Sequence, residues 1–473
     1  MDKFKKELQV LKMKYKKPLE IKKIGKSYYV YTGTTEWDKK EKKRKKISRY
    51  LGRMTETGFK EKDEERYNAR SIYEYGNIKL LYDIITEELE AKLRKTFPME
   101  YEEIIAMGMI RLLKPTPLRL MKSRWEKYYL SKEIEASLSP AIASERLKRI
   151  GTDIGGQIEF YKSLMDDSKQ LIFDLSCLYS QSMNINLAEK GYNKDKIRIQ
   201  QINFLLIYST DKGVPVMIKA MPGSIRELKS LKNIIKELKI KDCVLVLDRG
   251  YGSNYLPELM EEKEAKYIVC LQRGFKIIDY ETKMEGVFIY RGRGIRWGKK
   301  EKEGKWVYLY EDVKLKSEEE TEYIREITEG KRDMSKYEEE KKKFGKFALL
   351  SNINKSGEEI YKMYKDREEV ELAFDAMKNE LENDKIYLLE TEGVYGYFFI
   401  SFISLYLYFR ILGMLRKSGL IERMSVEEVL HELSKVYLVE YRDGKKRLTE
   451  IPKKVEEIER SLRLNLFPKK LQS

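Results

Sequence analysis

The sequence predicts an α/β protein: a mixed sheet flanked by helices, interrupted by a β-rich insertion and preceded by a β-hairpin and a helical region. Three observations predict it. From residue 170, three strand-like runs are followed by alternating helix-like and strand-like runs, an order that gives a mixed sheet covered by helices. Residues 275–345 interrupt that alternation with hairpin-like stretches. Ahead of residue 160 the chain is first alternating and basic, then apolar at spacings of three and four.

Composition bounds the answer. The 473 residues include 42% hydrophobic ones, so a sizeable core can form, global disorder is excluded, and about three domains are expected. Lys plus Arg is 95 against 78 for Asp plus Glu, a net charge of +17. That excess favours a polyanionic partner, nucleic acid first among them. Cys177, Cys243 and Cys270 show no CxxC spacing, which excludes a disulfide scaffold and a thiolate zinc site. The one histidine, His431, excludes a multi-histidine metal site and leaves carboxylates as the acid–base and metal-binding groups. The start, MDKFKKELQVLKMKYKK, has no apolar h-region, so a cytoplasmic, nucleoid-associated protein is expected.

The elements divide the chain into five regions: 1–60, 61–160, a core of 165–274 and 346–415, the insertion 275–345, and a helical basic region 416–473. In the first, alternating residues around a lysine-rich turn give a hairpin with a basic tip at Lys39 to Lys46, either a DNA contact or a solvated turn. In the second, the runs 78–97 and 102–114 are helical, and 138–151 resembles the second half of a helix-turn-helix, a pattern also common in ordinary bundles. This region is the expected binder of DNA ends. In the core, 170–179 is an apolar strand, and 197–223 is two strands joined at Asp211–Gly213. Helix 225–240, strand 242–248, a helix from Tyr255 and strand 266–272 follow. In the insertion, hairpins precede a charge-rich helix over 318–343. Strand 346–353 returns, and a long helix starts at Ser356 as N-cap. Residues 394–415 are almost purely apolar but have only 16 residues before Arg410, so a buried core helix is expected and no membrane span.

Three carboxylates stand out. Asp174 sits inside an apolar strand, where a charge is costly unless paired or bound to a cation. Asp248 ends the run VLVLD before Arg249-Gly250-Tyr251-Gly252, and ligands of open α/β sheets sit beyond strand carboxyl ends. A salt-bridged core Asp and a turn-starting Asp are the bland alternatives. The helix after Ser356 carries Tyr364, Arg367, Glu371 and Lys378, which at about 100° per residue share one face over about 21 Å. A surface face of charge pairs would look similar. Glu368, Glu369 and Asp375 compete for the acidic role, and Glu371 is preferred because it shares that face. Three hard oxygen ligands suit Mg²⁺, and two such ions serve phosphodiester cleavage or transfer without histidine or cysteine.

These residues resemble the insertion-sequence DDE transposases, in the branch with a Y-(2)-R-(3)-E-(6)-K signature. YKDREEVELAFDAMK, 364–378, matches that signature at every fixed position, IFDLSCLY supplies the first acid and VLVLDRGYGS the second. Residues 191–223 are also similar to that branch, and the resemblance covers about 170–415. One departure is Ser176 where related first strands often carry Thr, which keeps the hydroxyl.

The resemblance implies an RNase H-like core and a DNA transposase. In that role Asp174, Asp248 and Glu371 hold two Mg²⁺ ions, with Mn²⁺ as a substitute, while Tyr364, Arg367 and Lys378 contact phosphates near the element end. Arg249 is a further candidate DNA contact. Trp297 and Trp306 are candidates for stacking on a flipped base, or else hairpin core residues. Cleavage at insertion-sequence ends and 3′-OH strand transfer into target DNA are implied, with double-stranded terminal inverted repeats as partners, a homodimer in the synaptic complex, and room for a DNA hairpin intermediate. A non-catalytic or domesticated DNA-binding protein and a simple metal-dependent nuclease are the rival functions.

Overall fold

The computed structural model describes residues 2–15, 18–24, 27–38, 43–55, 58–62, 69–85, 87–179, 185–191, 200–225, 227–238, 243–253, 255–381, 390–442 and 444–468. They form two compact units. One comprises Met1–Glu74, Lys435–Pro452 and Phe467–Ser473, the other Tyr75–Ser434 and Lys453–Leu466.

The first unit holds a helix, Asp2–Tyr15, and a four-stranded antiparallel sheet of Leu19–Ile24, Ser27–Asp38, Lys43–Thr55 and Gly58–Glu61 in chain order. Leu11, Val30 and Met54 make its small core, closed by Tyr15, Leu19, Leu51 and Phe59. The expected hairpin is therefore the middle of a larger sheet. The helix escapes the sequence reading because its only apolar stripe lies among lysines. Of the expected basic tip, Lys43 to Lys46 are strand residues, and 39–42 lie outside the described residues. A second antiparallel sheet joins Ala69–Glu74 to Tyr437–Tyr441 and Lys446–Leu448. The stretch 426–441 is thus not one helix but helix Val426–Leu433 followed by a strand.

Charge divides unevenly between the units. The first contains 30 Lys and Arg against 15 Asp and Glu, a net +15; the second contains 65 against 63, a net +2.

The second unit is built on a mixed sheet. Its central strands are β1 (Gln170–Tyr179), β2 (Gln200–Ser209), β3 (Val214–Pro222), β4 (Val244–Leu247) and β5 (Lys266–Cys270). They lie in the order β3-β2-β1-β4-β5, the first three antiparallel and β4 parallel to both β1 and β5. This is the RNase H-like arrangement that the resemblance implies. The insertion contributes β6 (Gly286–Tyr290), β7 (Arg293–Lys302) and β8 (Lys305–Asp312), and the chain returns in β9 (Lys346–Ser351). All run antiparallel to their neighbours, and β9 pairs with β5, so the insertion extends the same sheet rather than building another. Helix Val313–Thr328 lies between β8 and β9, with only Tyr323 fully buried, as a solvated helix requires.

Seven helices of this unit matter below: α1 (Tyr101–Leu113), α2 (Pro140–Thr152), α3 (Glu227–Leu238), α4 (Leu256–Glu262), α5 (Gly357–Lys365), α6 (Glu368–Asp375) and α7 (Thr391–Ser418). α3 and α4 are the connections before β4 and β5. α7 is long and apolar enough to cross a membrane, yet 72% of its most apolar stretch is buried within the protein. It packs on α1, α2 and β3, with Phe398, Phe399, Phe402 and Ile403 all buried, and is a core helix. Two glycines set its crossing with α2. A Cβ at Gly151 would lie 1.7 Å from the Glu392 carbonyl oxygen, and one at Gly396 would lie 2.0 Å from that of Leu147. The helix that resembles half of a helix-turn-helix, α2, therefore has its apolar face (Ala143, Leu147, Ile150) against the core. The helices from residue 76 onward belong to the same compact unit as the sheet.

Candidate active site

β1 and β4 bring the first two acids together. The strands are parallel, with Phe173 opposite Leu247, so the residues that follow, Asp174 and Asp248, stand side by side at the carboxyl end of β4. Asp174 is buried, and its Oδ1 accepts the Leu175 backbone N–H at 2.8 Å, leaving Oδ2 for other partners. Asp248 is more open, because β4 stops there and a tight turn, Arg249–Tyr251, carries the chain away.

The third acid arrives on a helix that is not continuous. Ser356 caps α5 as expected, and with Glu359 it forms a capping box. Beyond Lys365 the ladder tightens: Arg367 N–H donates to the Tyr364 carbonyl at 3.2 Å, Glu369 N–H to Asp366 at 3.0 Å and Val370 N–H to Arg367 at 3.0 Å. These are i to i−3 bonds, which bring side chains three apart into eclipse. The equal turns of an ideal helix, assumed in placing all four signature residues on one face, are thus corrected here. Gln170 meets the chain at this point: its Nε2 donates to the Met363 carbonyl, the acceptor an α-helical Arg367 N–H would use, and to Asp366 Oδ2, each at 3.1 Å. A second irregularity follows α6, where Leu381 N–H donates to the Ala376 carbonyl at 3.1 Å across a wide turn containing Lys378. Arg111, from α1, donates to the Leu381 carbonyl at 2.9 Å and fixes that end.

The broken helix aims Arg367 at all three carboxylates. Its Nη1 lies 3.0 Å from Asp248 Oδ2 and 3.6 Å from Asp174 Oδ2, and its Nη2 lies 2.9 Å from Glu371 Oε1. The two aspartate oxygens are therefore within 6.6 Å of each other, the sum of their distances to one nitrogen. Burial works against the Arg367 charge, but Asp248, Tyr364, Asp174 and Glu371 outweigh it and raise its pKa further. The competing acids have other partners. Glu369 pairs with Arg416 at 2.8 Å, Glu368 with Arg291, and Asp375 accepts from Asn379 at 2.6 Å.

Beside this cluster lies a cavity of about 640 Å³, lined among others by Arg249, Tyr290, Arg291, Tyr361, Tyr364 and Lys365. Burial pushes the Tyr364 phenol far up and the Tyr361 phenol up to about 12, so both stay protonated donors. Burial also opposes the Arg249 charge, but Cys270, Tyr364 and Asp248 outweigh it, and the pKa rises. The structure thus gathers Asp174, Asp248, Glu371, Arg367, Tyr364 and Arg249 around one place. It does not bring the tryptophans there. Trp297 is wedged between Gly286 and Gly357, where a Cβ on Gly357 would meet its ring at 2.1 Å, and Trp306 carries Lys299 over its ring at 4.6 Å. Neither lines the cavity. No ion pair joins Lys378 to the acids among the described residues. Sequence reasoning missed Gln170, Arg111, Tyr290 and Tyr361. With 34 tyrosines in the chain, no pattern singles out two of them.

Among the described residues, no three His, Cys, Asp or Glu side chains are gathered closely enough to hold a metal ion outright. The donor chemistry nevertheless suits Mg²⁺, because three carboxylates from three elements already converge on one positive charge, the Arg367 guanidinium.

Residues 177–407 match the family model described as the transposase DDE domain, a match that starts three residues after Asp174. No curated protein matches the chain. The cryo-EM structure of a piggyBac transposase synaptic complex with hairpin DNA aligns over 84% of this chain and 87% of its own, at 12% identity and a TM-score of 0.40. Over residues 177–407 this chain is similar to the transposase DDE domain.

Proposed function

We propose that this protein is a cut-and-paste DNA transposase, in which Asp174, Asp248 and Glu371 hold two divalent ions, Mg²⁺ by preference and Mn²⁺ as a substitute. The observation that carries the proposal is the meeting of these three acids on one guanidinium, although 74 and 123 residues separate them along the chain. Bound ions of this kind supply the electrophilic assistance that activates the attacking oxygen and stabilises the leaving one. The chain's own groups do the rest. The β1–β4 pairing fixes Asp174 and Asp248 in register, and the short turn at Tyr364–Val370 turns Glu371 toward them. Tyr364, kept protonated by burial, donates to a phosphate oxygen, and Arg249 offers a cation at the rim of the same cavity. Lys378 serves phosphates farther along the strand.

Terminal inverted repeats and target DNA are the substrates in this reading. The basic unit, with its net +15, supplies the sequence-independent share of DNA affinity. Two protomers act together, because two element ends must be joined. The test is Asp174→Asn with DNA ends of the element. Binding in a gel shift stays within a fewfold of wild type, and Mg²⁺-dependent cleavage falls by about two to three orders of magnitude. Unchanged cleavage would remove Asp174 from the site. Wild-type protein given pre-cut ends with free 3′-OH groups joins them to target DNA, and failure to join them would leave a simple nuclease.

A further inference from the structure

We propose that Arg367 is a built-in counter-cation for the three acids, one that competes with divalent ions for the same carboxylates and opposes their binding while it stays paired. The inference rests on the acids being the metal ligands, as proposed above, and adds a control on their occupancy.

The geometry carries it. One guanidinium makes ion pairs at 3.0, 3.6 and 2.9 Å with Asp248, Asp174 and Glu371, and with no other acid among the described residues. Without a cation among them, three carboxylates this close would repel. Like charges at this separation repel strongly where water is partly excluded. Arg367 removes that repulsion and holds the acids near one another while no ion is present. Its planar fork meets the aspartates through Nη1 and Glu371 through Nη2, in a fixed geometry that the point charge of an ammonium does not impose. A dication drawn to the same carboxylates is repelled by the guanidinium already paired with them, so ion binding and this contact oppose each other.

The arginine also has somewhere to go. It follows the tight turn at Tyr364–Val370, beside the cavity that Tyr364 and Arg249 line, and its Cζ lies 5.9 Å from the Tyr364 ring centroid. A DNA phosphate in that cavity would offer the released guanidinium a bidentate partner. Phosphate binding and ion binding then favour one another, because each draws Arg367 off the acids or keeps it off. Such coupling is reciprocal.

The experiment measures Mn²⁺ binding to the full-length, DNA-free protein by electron paramagnetic resonance of the free ion. Wild type, Arg367→Gln, Arg367→Lys and each of these with Asp174→Asn are compared. Removal of the competing charge should tighten Asp174-dependent Mn²⁺ binding about tenfold in Arg367→Gln, with Arg367→Lys between it and wild type. A tenfold change corresponds to about 1.4 kcal/mol. Thermal melting reports whether each variant is folded, and if the Gln variant is not, the Lys variant carries the test alone. Asp174-dependent binding that is equal to or weaker than wild type in the folded variants would overturn the counter-cation and leave the metal site standing. Absence of any Asp174-dependent binding in all of the proteins would overturn both.

Discussion

Asp366 shows how far one side chain can influence the site without touching it. Burial, reinforced by Glu369 and Glu368, raises its pKa above the ordinary carboxylate value, against the lowering by the Gln170 amide. Between the unfolded and folded pKa values the folded state binds the extra proton, so stability falls as pH rises through that window and the loss persists above it. Asp366→Asn keeps an oxygen for Gln170 and removes the charge. Its melting temperature should match or exceed wild type at pH 7, with the difference shrinking toward pH 4; a variant that melts lower at pH 7 would show the charge to be stabilising. Gln170→Ala acts in the opposite direction. It leaves the Met363 carbonyl and Asp366 without their 3.1 Å donor, at a cost of about 1–3 kcal/mol if no other donor replaces it. Reduced thermal stability together with weaker cleavage is the expected outcome. The three acids were singled out in the sequence by the resemblance of 364–378 and the two Asp-bearing strands to a transposase signature, since each Asp alone has a bland alternative. The convergence on Arg367 was not. It comes where the chain meets Gln170, a residue almost two hundred positions earlier that carries no motif.

At the scale of elements, the strand order of the core could be read because each strand announces itself by apolar runs and by turns such as Asp211–Gly213. The broken helix could not. Periodicity assumes equal turns, whereas α5 and α6 are joined by a tightened turn and followed by a widened one. The strand Tyr437–Tyr441 was hidden likewise, since its partner, Ala69–Glu74, lies at the other end of the sequence. The crossing of α2 and α7 gives a clean prediction. Gly396→Ala would place a methyl 2.0 Å from the Leu147 oxygen and should cost about 1–3 kcal/mol through forced backbone shifts. Gly413, on the same helix, has nothing within 4 Å, and Gly413→Ala should be neutral or gain up to about 1 kcal/mol from helix propensity. Chemical or thermal denaturation of the pair checks this, and similar losses in both would mean that the close approach is not what matters.

For the whole molecule, the decisive quantity is the charge division, net +15 in one unit and +2 in the other. Nucleic-acid affinity that releases counterions falls steeply with salt, by about 0.9 in logarithmic slope per neutralised phosphate. Duplex DNA binding by this protein should therefore weaken sharply between low and physiological salt. Replacing Lys43, Arg44 and Lys45 with alanine should lower that slope by about 2–3 units, and the same change at Lys314, Lys331 and Lys341 should leave it alone. Equal slopes in all three proteins would put the phosphate contacts elsewhere.

The long separation of Glu371 from Asp248 also bears on how the protein is made. At about 5–20 residues per second, the 123 residues between them take about 6–25 s to synthesise. During nearly all of that interval the nascent chain carries two of the acids but neither Glu371 nor Arg367, so a chain released early lacks part of the proposed site. On that reading, chains stopped partway should be unable to cleave DNA.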